Sequence, residues 1–145
     1  MRIEHLLSTK GDYVATVAPE ATVRELLARL AEHRVGALVV SPDGREILGI
    51  VSERDVVRAL HEHGADLLVS PVSTIMTEQV SCTTADAGVD NLMGLMTEQR
   101  IRHVPVVDDD ERLIGIISIG DVVKSRLGEL EGEREALISY ITAGG

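Results

Sequence analysis

Aromatic side chains are almost missing from this 145-residue chain, which has Tyr13 and Tyr140 but no Phe and no Trp. Its core must therefore be built from Val, Ile, Leu, Ala and Met. Base stacking on aromatic platforms, a common way of holding single-stranded nucleic acid, is effectively excluded. Cysteine is scarce too. Cys82 is the single one, so no internal disulfide can form; it sits in an apolar stretch and is expected to pack there. Positive charge is in deficit, with 14 Lys and Arg against 24 Asp and Glu, a net charge of −10. That disfavours nucleic acid, where affinity comes largely from cations at phosphates, and it disfavours anionic membranes. No apolar run approaches the roughly 18 residues of a membrane span. The start, Met1-Arg2-Ile3-Glu4-His5, lacks the apolar core of a signal peptide. A cytoplasmic protein with no nucleic-acid or membrane partner is the expectation.

What is present reads as one domain by length, able to bury about 70% of its unfolded surface. Residues 1–10 can form an amphipathic helix with Ile3, Leu6 and Leu7 on one side, broken by Gly11-Asp12. Val14 to Val17 reads as extended. Thr22 and Glu25 have capping-box spacing, and Val23, Leu26, Leu27 and Leu30 make one helical stripe that ends at His33-Arg34. Ala37 to Val40 and Ile47 to Val51 flank the turn Pro42-Asp43-Gly44, a predicted hairpin. A helix is predicted from Glu53 to His63, stopped by Gly64. From Ser73 the order begins again: an extended piece at Val80 to Thr83, a stripe of Val89, Leu92, Met93 and Met96, and a hairpin of Val104 to Val107 and Leu113 to Ile117. A helix starts near Asp121. The tail from Glu129 is charged, with Leu130, Leu137, Ile138 and Ile141 available for packing.

The recurrence can be counted. Gly49-Ile50-Val51-Ser52-Glu53-Arg54-Asp55 returns as Gly115-Ile116-Ile117-Ser118-Ile119-Gly120-Asp121, and Gly115 lies 66 positions after Gly49. The same shift relates Val14 to Val80, Val23 to Val89, Arg34 to Arg100 and Val40 to Val106. An ungapped match through a helix, a hairpin and a second helix points to duplication. Two copies are too few for a solenoid; a closed pseudo-twofold pair, each repeat covering the other's sheet, fits.

The segments Arg34 to Val40 with Gly49 to Asp55, and Arg100 to Val107 with Gly115 to Asp121, resemble the cystathionine-β-synthase (CBS) domain family, and two copies resemble its tandem pair, the Bateman module. The resemblance covers about residues 8–128. It implies an α/β (α+β) fold of two β-α-β-β-α CBS repeats packed with pseudo-twofold symmetry: repeat 1 over 8–66, repeat 2 over 73–128 and a helical tail over 129–145. No catalytic domain is left over, so a stand-alone CBS-pair protein and no enzyme is expected. The family's clefts bind adenine-containing ligands such as AMP, ADP, ATP, NAD or S-adenosylmethionine, here as regulatory ligands in energy sensing and not as catalytic cofactors. By resemblance a homodimer and a regulated partner protein are also expected.

The same resemblance maps the site. Asp55 and Asp121 match the ribose-binding carboxylates, and Ser52 and Ser118 the Ser/Thr position. Asp55, with Arg54 beside it, would share a cleft with Thr77, Val80, Arg102, His103 and Val104. Asp121 would share one with Lys10, Val14, Gly36, Ala37 and Leu38. Pro105 has its counterpart in Val39, a departure in the second cleft. The chemistry is sound in itself: an ionised Asp can accept from both ribose hydroxyls, a Ser at a helix start lies beside free N–H groups that suit a phosphate, and Arg102 and His103 add positive charge. The clefts are unequal, because Arg102 and His103 face Asp55 while only Lys10 is an obvious cation near Asp121. Asp55 is expected to hold the phosphorylated ligand.

Other readings compete. Ser52, Asp55, Ser118 and Asp121 suit helix caps, a role that can coexist with ligand contact. His61 and His63, two apart, point to different helix faces, not to one metal. Asp108-Asp109-Asp110-Glu111 lacks the alternating ligands of a calcium loop, and no metal site is expected. Met76, Met93 and Met96 read as packing. The leading function is a regulatory adenylate-binding module; the alternative is a non-catalytic dimeric scaffold that binds a partner protein with its clefts empty or structural.

Overall fold

The computed structural model describes residues 1–11 and 14–144. Asp12, paired with Gly11 as the break after the first helix, and Gly145 lie outside the described residues. The chain runs α1 (Ile3–Lys10), β1 (Thr16–Val17), α2 (Val23–His33), β2 (Ala37–Val40), β3 (Gly49–Ser52), α3 (Glu53–His63), then two 3-10 turns, Gly64–Val69 and Val72–Thr74. It continues β4 (Thr83–Thr84), α4 (Val89–Gln99), β5 (His103–Val107), β6 (Leu113–Ser118) and α5 (Ile119–Gly144). Two three-stranded sheets result, ordered β1-β2-β3 and β4-β5-β6. In each, the short first strand is parallel to the second and the hairpin partners are antiparallel. The edge strands are shorter than the extended runs predicted from the sequence.

Local chemistry sets the helix ends. Thr22 accepts from Glu25 N while the Glu25 carboxylate accepts from Thr22 N, a complete capping box. Ser52 and Asp55 form a second one at the start of α3. Arg34 and Arg100, 66 positions apart, both close their helices in the left-handed region, at φ of 55° and 56°. Gly64 closes α3 at a φ of 69°.

Two apolar clusters form, and each takes its last layer from chain outside its own sheet unit. Val23, Leu26, Leu30, Leu38, Val40 and Val51 pack with Leu67 and Val72, which follow α3. Val89, Leu92, Met96, Val104, Val106 and Ile117 pack with Ile3 and Leu6 from α1. The lead-in of each repeat is thus spent on the other. Hydrogen bonds match this: Val23 N donates to Ser70 O at 3.0 Å, and Val89 N to Met1 O at 2.9 Å. Ser70 follows Met1 by 69 positions, not 66, so repeat 1 carries three more residues between its lead-in and its first strand.

Strand alternation turns Ala37 and Val39 away from the first cluster, yet they are 4% and 0% exposed. The second sheet covers that face. Arg45 O accepts from Leu113 N at 2.8 Å, and a Cβ on Gly36 would stand 3.5 Å from His103 Cε1. Helix α5 differs from the two-part reading of the sequence: 26 residues form one helix from Ile119 through the tail. Cys82 also departs from expectation. It is exposed, and its thiol pKa is raised, by burial of the sulfur against nearby atoms and then by the negative charge of Glu111.

Candidate functional site

The hairpin β2–β3 delivers Ser52 to the N-terminus of α3, and the turn of that helix brings Asp55 back onto it. Ser52 N donates to Asp55 Oδ2 at 2.8 Å, Ser52 Oγ approaches the same oxygen at 3.1 Å, and Asp55 N donates to Ser52 Oγ at 3.3 Å. The cap uses Oδ2 alone. No hydrogen bond among the described residues engages Oδ1, so a half-buried carboxylate keeps one oxygen for a ligand.

That carboxylate lines a cavity of about 680 Å³. Repeat 1 supplies Gly36, Ala37, Ile50, Ser52, Glu53, Arg54, Asp55, Val57 and Arg58, and the chain of repeat 2 supplies among others Thr77, Val80, Arg100, Ile101, Arg102 and His103. Thr77 is fixed by pairing with Ile50, N to O in both directions at 2.9 and 3.0 Å. Four arginines and a histidine thus gather with two carboxylates, Glu53 and Asp55, in a chain whose net charge is −10. Ile50, Val57, Val80 and Ile101 supply apolar wall. The volume lies within the ~300–1,000 Å³ range of small-molecule sites.

Of the residues mapped from the sequence, Ser52, Arg54, Asp55, Thr77, Val80, Arg102 and His103 come together on this cavity. Val104 does not line it; its side chain is buried in the second cluster. Pro105 is buried on β5. Arg58 and Arg100 were missed. Arg58 stands three residues after Asp55, on the same helix face, and Arg100 is the counterpart of Arg34, so spacing held both signals.

Asp121 sits in different surroundings. Ser118 caps α5 as Ser52 caps α3, with Ser118 N donating to Asp121 Oδ2 at 2.8 Å and Asp121 N to Ser118 Oγ at 3.2 Å. That same Oδ2 also accepts from Lys10 Nζ at 2.7 Å, and Lys10 donates again to Ile116 O at 2.8 Å. Burial pushes the Asp121 carboxyl up, but the Lys10 hydrogen bond, the Ser118 bonds and the Lys10 charge outweigh it and hold its pKa below the usual 3.8. Lys10, Lys124 and Asp121 border a groove of about 510 Å³ between α1 and α5. Gly36 and Ala37, mapped opposite Asp121, line the Asp55 cavity instead. Leu38 is buried in the first cluster, and Val14 is half-buried ahead of β1.

His103 lies where the two environments meet. Burial lowers its pKa first, then the charge of Lys10; Asp121 and Glu53 pull it up and Arg102 down, and the net direction is below 6.5. It is therefore a neutral donor and acceptor at neutral pH. A larger hollow of about 740 Å³ lies at the hairpin turns, among Asp43, Glu46, Glu78, Asp110, Glu111, Arg45 and Arg112. Five carboxylates against two arginines suit a phosphate poorly. Among the described residues no three His, Cys, Asp or Glu gather as metal ligands, and no helix is long and apolar enough to cross a membrane.

The chain resembles known proteins along most of its length. The family profile of the CBS domain matches it twice, over residues 7–62 and 72–128. A CBS domain-containing protein of Arabidopsis thaliana, named as mitochondrial, is 39% identical over 127 residues, covering 85% of this chain and 61% of that protein. The crystal structure of a CBS-domain containing protein from Agrobacterium tumefaciens superposes with a TM-score of 0.83 at 44% identity, over 87% of this chain and 99% of that one. A CBS domain protein from Pyrobaculum aerophilum, complexed with AMP, gives a TM-score of 0.74 at 31% identity, over 83% and 89% of the two chains. Duplicated motif, paired sheets and matched relatives agree: this chain belongs to the CBS domain family and carries two CBS domains in tandem.

Proposed function

We propose that this protein is a regulatory module, not a catalyst, that binds an adenosine-containing ligand through Asp55. One observation carries the reading: the helix cap leaves Asp55 Oδ1 unengaged in a cavity ringed by Arg54, Arg58, Arg100, Arg102 and His103. A carboxylate oxygen accepts from ribose hydroxyls, the arginines face a phosphate, and the Ile and Val walls take a flat base. AMP bound to the Pyrobaculum aerophilum relative supports the ligand class. The cavity draws on both repeats, so a ligand that fits one relative arrangement better than another shifts their packing, and a partner protein can respond to that shift.

Thermal-shift and calorimetric titration with adenosine, AMP, ADP, ATP, NAD, NADH and S-adenosylmethionine test it. Ligand at about 100 times its Kd adds roughly 2.7 kcal/mol of stability. AMP is expected to bind more tightly than adenosine, because only AMP meets the arginines. Asp55→Asn keeps an oxygen for the Ser52 cap but presents an amide to the ribose, and it is expected to weaken binding at least about tenfold, ~1.4 kcal/mol. Failure of every ligand at millimolar concentration rejects the sensor and leaves the empty scaffold.

A further inference from the structure

The two lead-ins share one register but end differently. Ile3 N donates to Ala87 O at 2.9 Å and Val72 N to Ala21 O at 2.7 Å, and Leu7 stands over Gly115 as Met76 stands over Gly49. Both matches are 69 positions apart, which makes Ser8 the counterpart of Thr77 and Lys10 the counterpart of Gln79. Thr77 is already extended and pairs through its backbone with Ile50. Ser8 is still inside α1. The carbonyl of Ile116, which matches Ile50, is filled instead by Lys10 Nζ at 2.8 Å. From there the ammonium also reaches Asp121 Oδ2 at 2.7 Å. Gln79 lines the Asp55 cavity, and no hydrogen bond among the described residues joins it to Asp55.

We propose that Lys10 competes with the ligand for Asp121, so that a lysine where the other lead-in has Gln79 directs the ligand to Asp55. This rests on the reading of Asp55 as the ribose acceptor. The surroundings of Asp121 otherwise suit the same ligand class. Its groove of about 510 Å³ has small-molecule size, Ser118 caps its helix as Ser52 does, and Lys124, the counterpart of Arg58, borders it. The difference lies in what Oδ2 already holds. At Asp55 it meets Ser52 N and Ser52 Oγ. At Asp121 it meets Ser118 N, Ser118 Oγ and the ammonium. A carboxylate whose charge is compensated by a bound ammonium gives a hydroxyl less of a charge-assisted bond, and a ribose that engages both of its oxygens must displace Nζ. Both side chains are partly exposed, so the pair can exchange, and Lys10 acts by lowering affinity, not by sealing the groove.

Calorimetry with adenosine tests this, because an uncharged ligand has no use for a lysine as a phosphate contact. The full chain carries Asp55→Asn throughout, which weakens the first cavity and leaves Asp121 to be read. Adding Lys10→Gln, the residue of the matching lead-in, is expected to tighten adenosine at least about fivefold, the factor an ion pair of this exposure carries. Adding Asp121→Asn as well should cancel that gain. Lost packing at Lys10 can weaken a site but does not tighten it, so the gain separates competition from a structural role. Adenosine bound no more tightly after Lys10→Gln, or a gain that survives Asp121→Asn, overturns the proposal. Failure of the Asp55 reading shows separately, as AMP binding to the otherwise unaltered chain that Asp55→Asn leaves intact.

Discussion

Lys10→Met takes away the cation that holds Asp121, and its cost can be worked from the geometry. Lys10 Nζ donates to Asp121 Oδ2 at 2.7 Å and to Ile116 O at 2.8 Å, with the two side chains 35% and 26% exposed. Hydrogen bonds to charged groups contribute up to ~1.5–3 kcal/mol where water is excluded. Exposed ion pairs contribute ~0.2–1 kcal/mol. At this partial exposure the screened value governs, so about 1 kcal/mol is expected. For a chain of this size that is a fall of roughly 2–4 °C in Tm.

The assay is urea unfolding of the wild type, Lys10→Met, Asp121→Asn and the double variant, whose cycle isolates the coupling. The Asp121 pKa is depressed in the fold. Its stabilisation is therefore complete above the unfolded value of about 3.9 and is lost as pH falls through the folded value. The loss in Lys10→Met should be full at neutral pH and shrink in acid. It should shrink also in about 1 M salt, where charges are screened over ~3 Å. A coupling under about 0.3 kcal/mol, or a loss that persists in acid and in salt, would refute the ion pair and leave methylene packing as the cause.

Three further outcomes follow from the same structure. A Cβ at Gly49 would meet Met76 Sδ and the Thr77 carbonyl oxygen, each at 2.8 Å, whereas at Gly115 it meets only the flexible Leu7 side chain. Gly49→Ala is expected to cost about 1–3 kcal/mol in urea unfolding and Gly115→Ala less, and equal costs would contradict this. Gly88 is the uncapped counterpart of Thr22, at a φ of −78° that any residue can adopt. Gly88→Ser should therefore stabilise α4 by roughly 0.5–1 kcal/mol, seen as a higher Tm. His103 should titrate below 6.5 by NMR. Because the unfolded chain takes that proton first, stability falls as pH drops from about 6.5 through the folded value. His103→Gln should flatten that stretch of the pH profile; a midpoint at or above 6.5 rejects the burial argument.

Much of the fold was legible because its signals are local. Thr22 with Glu25, and Ser52 with Asp55, close hydrogen bonds three residues apart, so spacing alone announced them. The apolar stripes of α2 and α4 have the helical period, and the two hairpins flank visible turns. Leu27 shows the limit: it belongs to the stripe by period yet is 37% exposed, because a stripe is wider than the face a neighbour covers. The arginine ring was half legible. Arg102 entered by resemblance, while Arg58 and Arg100 needed the observation that helix face and helix end open onto one cavity.

By itself, the sequence determined that two copies of one unit exist, that each starts a helix on a Ser-and-Asp cap, and that an acidic chain poor in aromatics serves a small ligand better than a nucleic acid. Those are matters of period, spacing and composition. Only the tertiary structure decided that each lead-in packs on the other repeat, that Gly36 and Ala37 face Asp55, and that Lys10 crosses 111 positions to occupy Asp121. An apolar pattern states that a face is buried but not what buries it. The duplicated carboxylates are alike in sequence, and they differ because the chain folded against one brings a lysine and the chain folded against the other brings arginines from across a cavity.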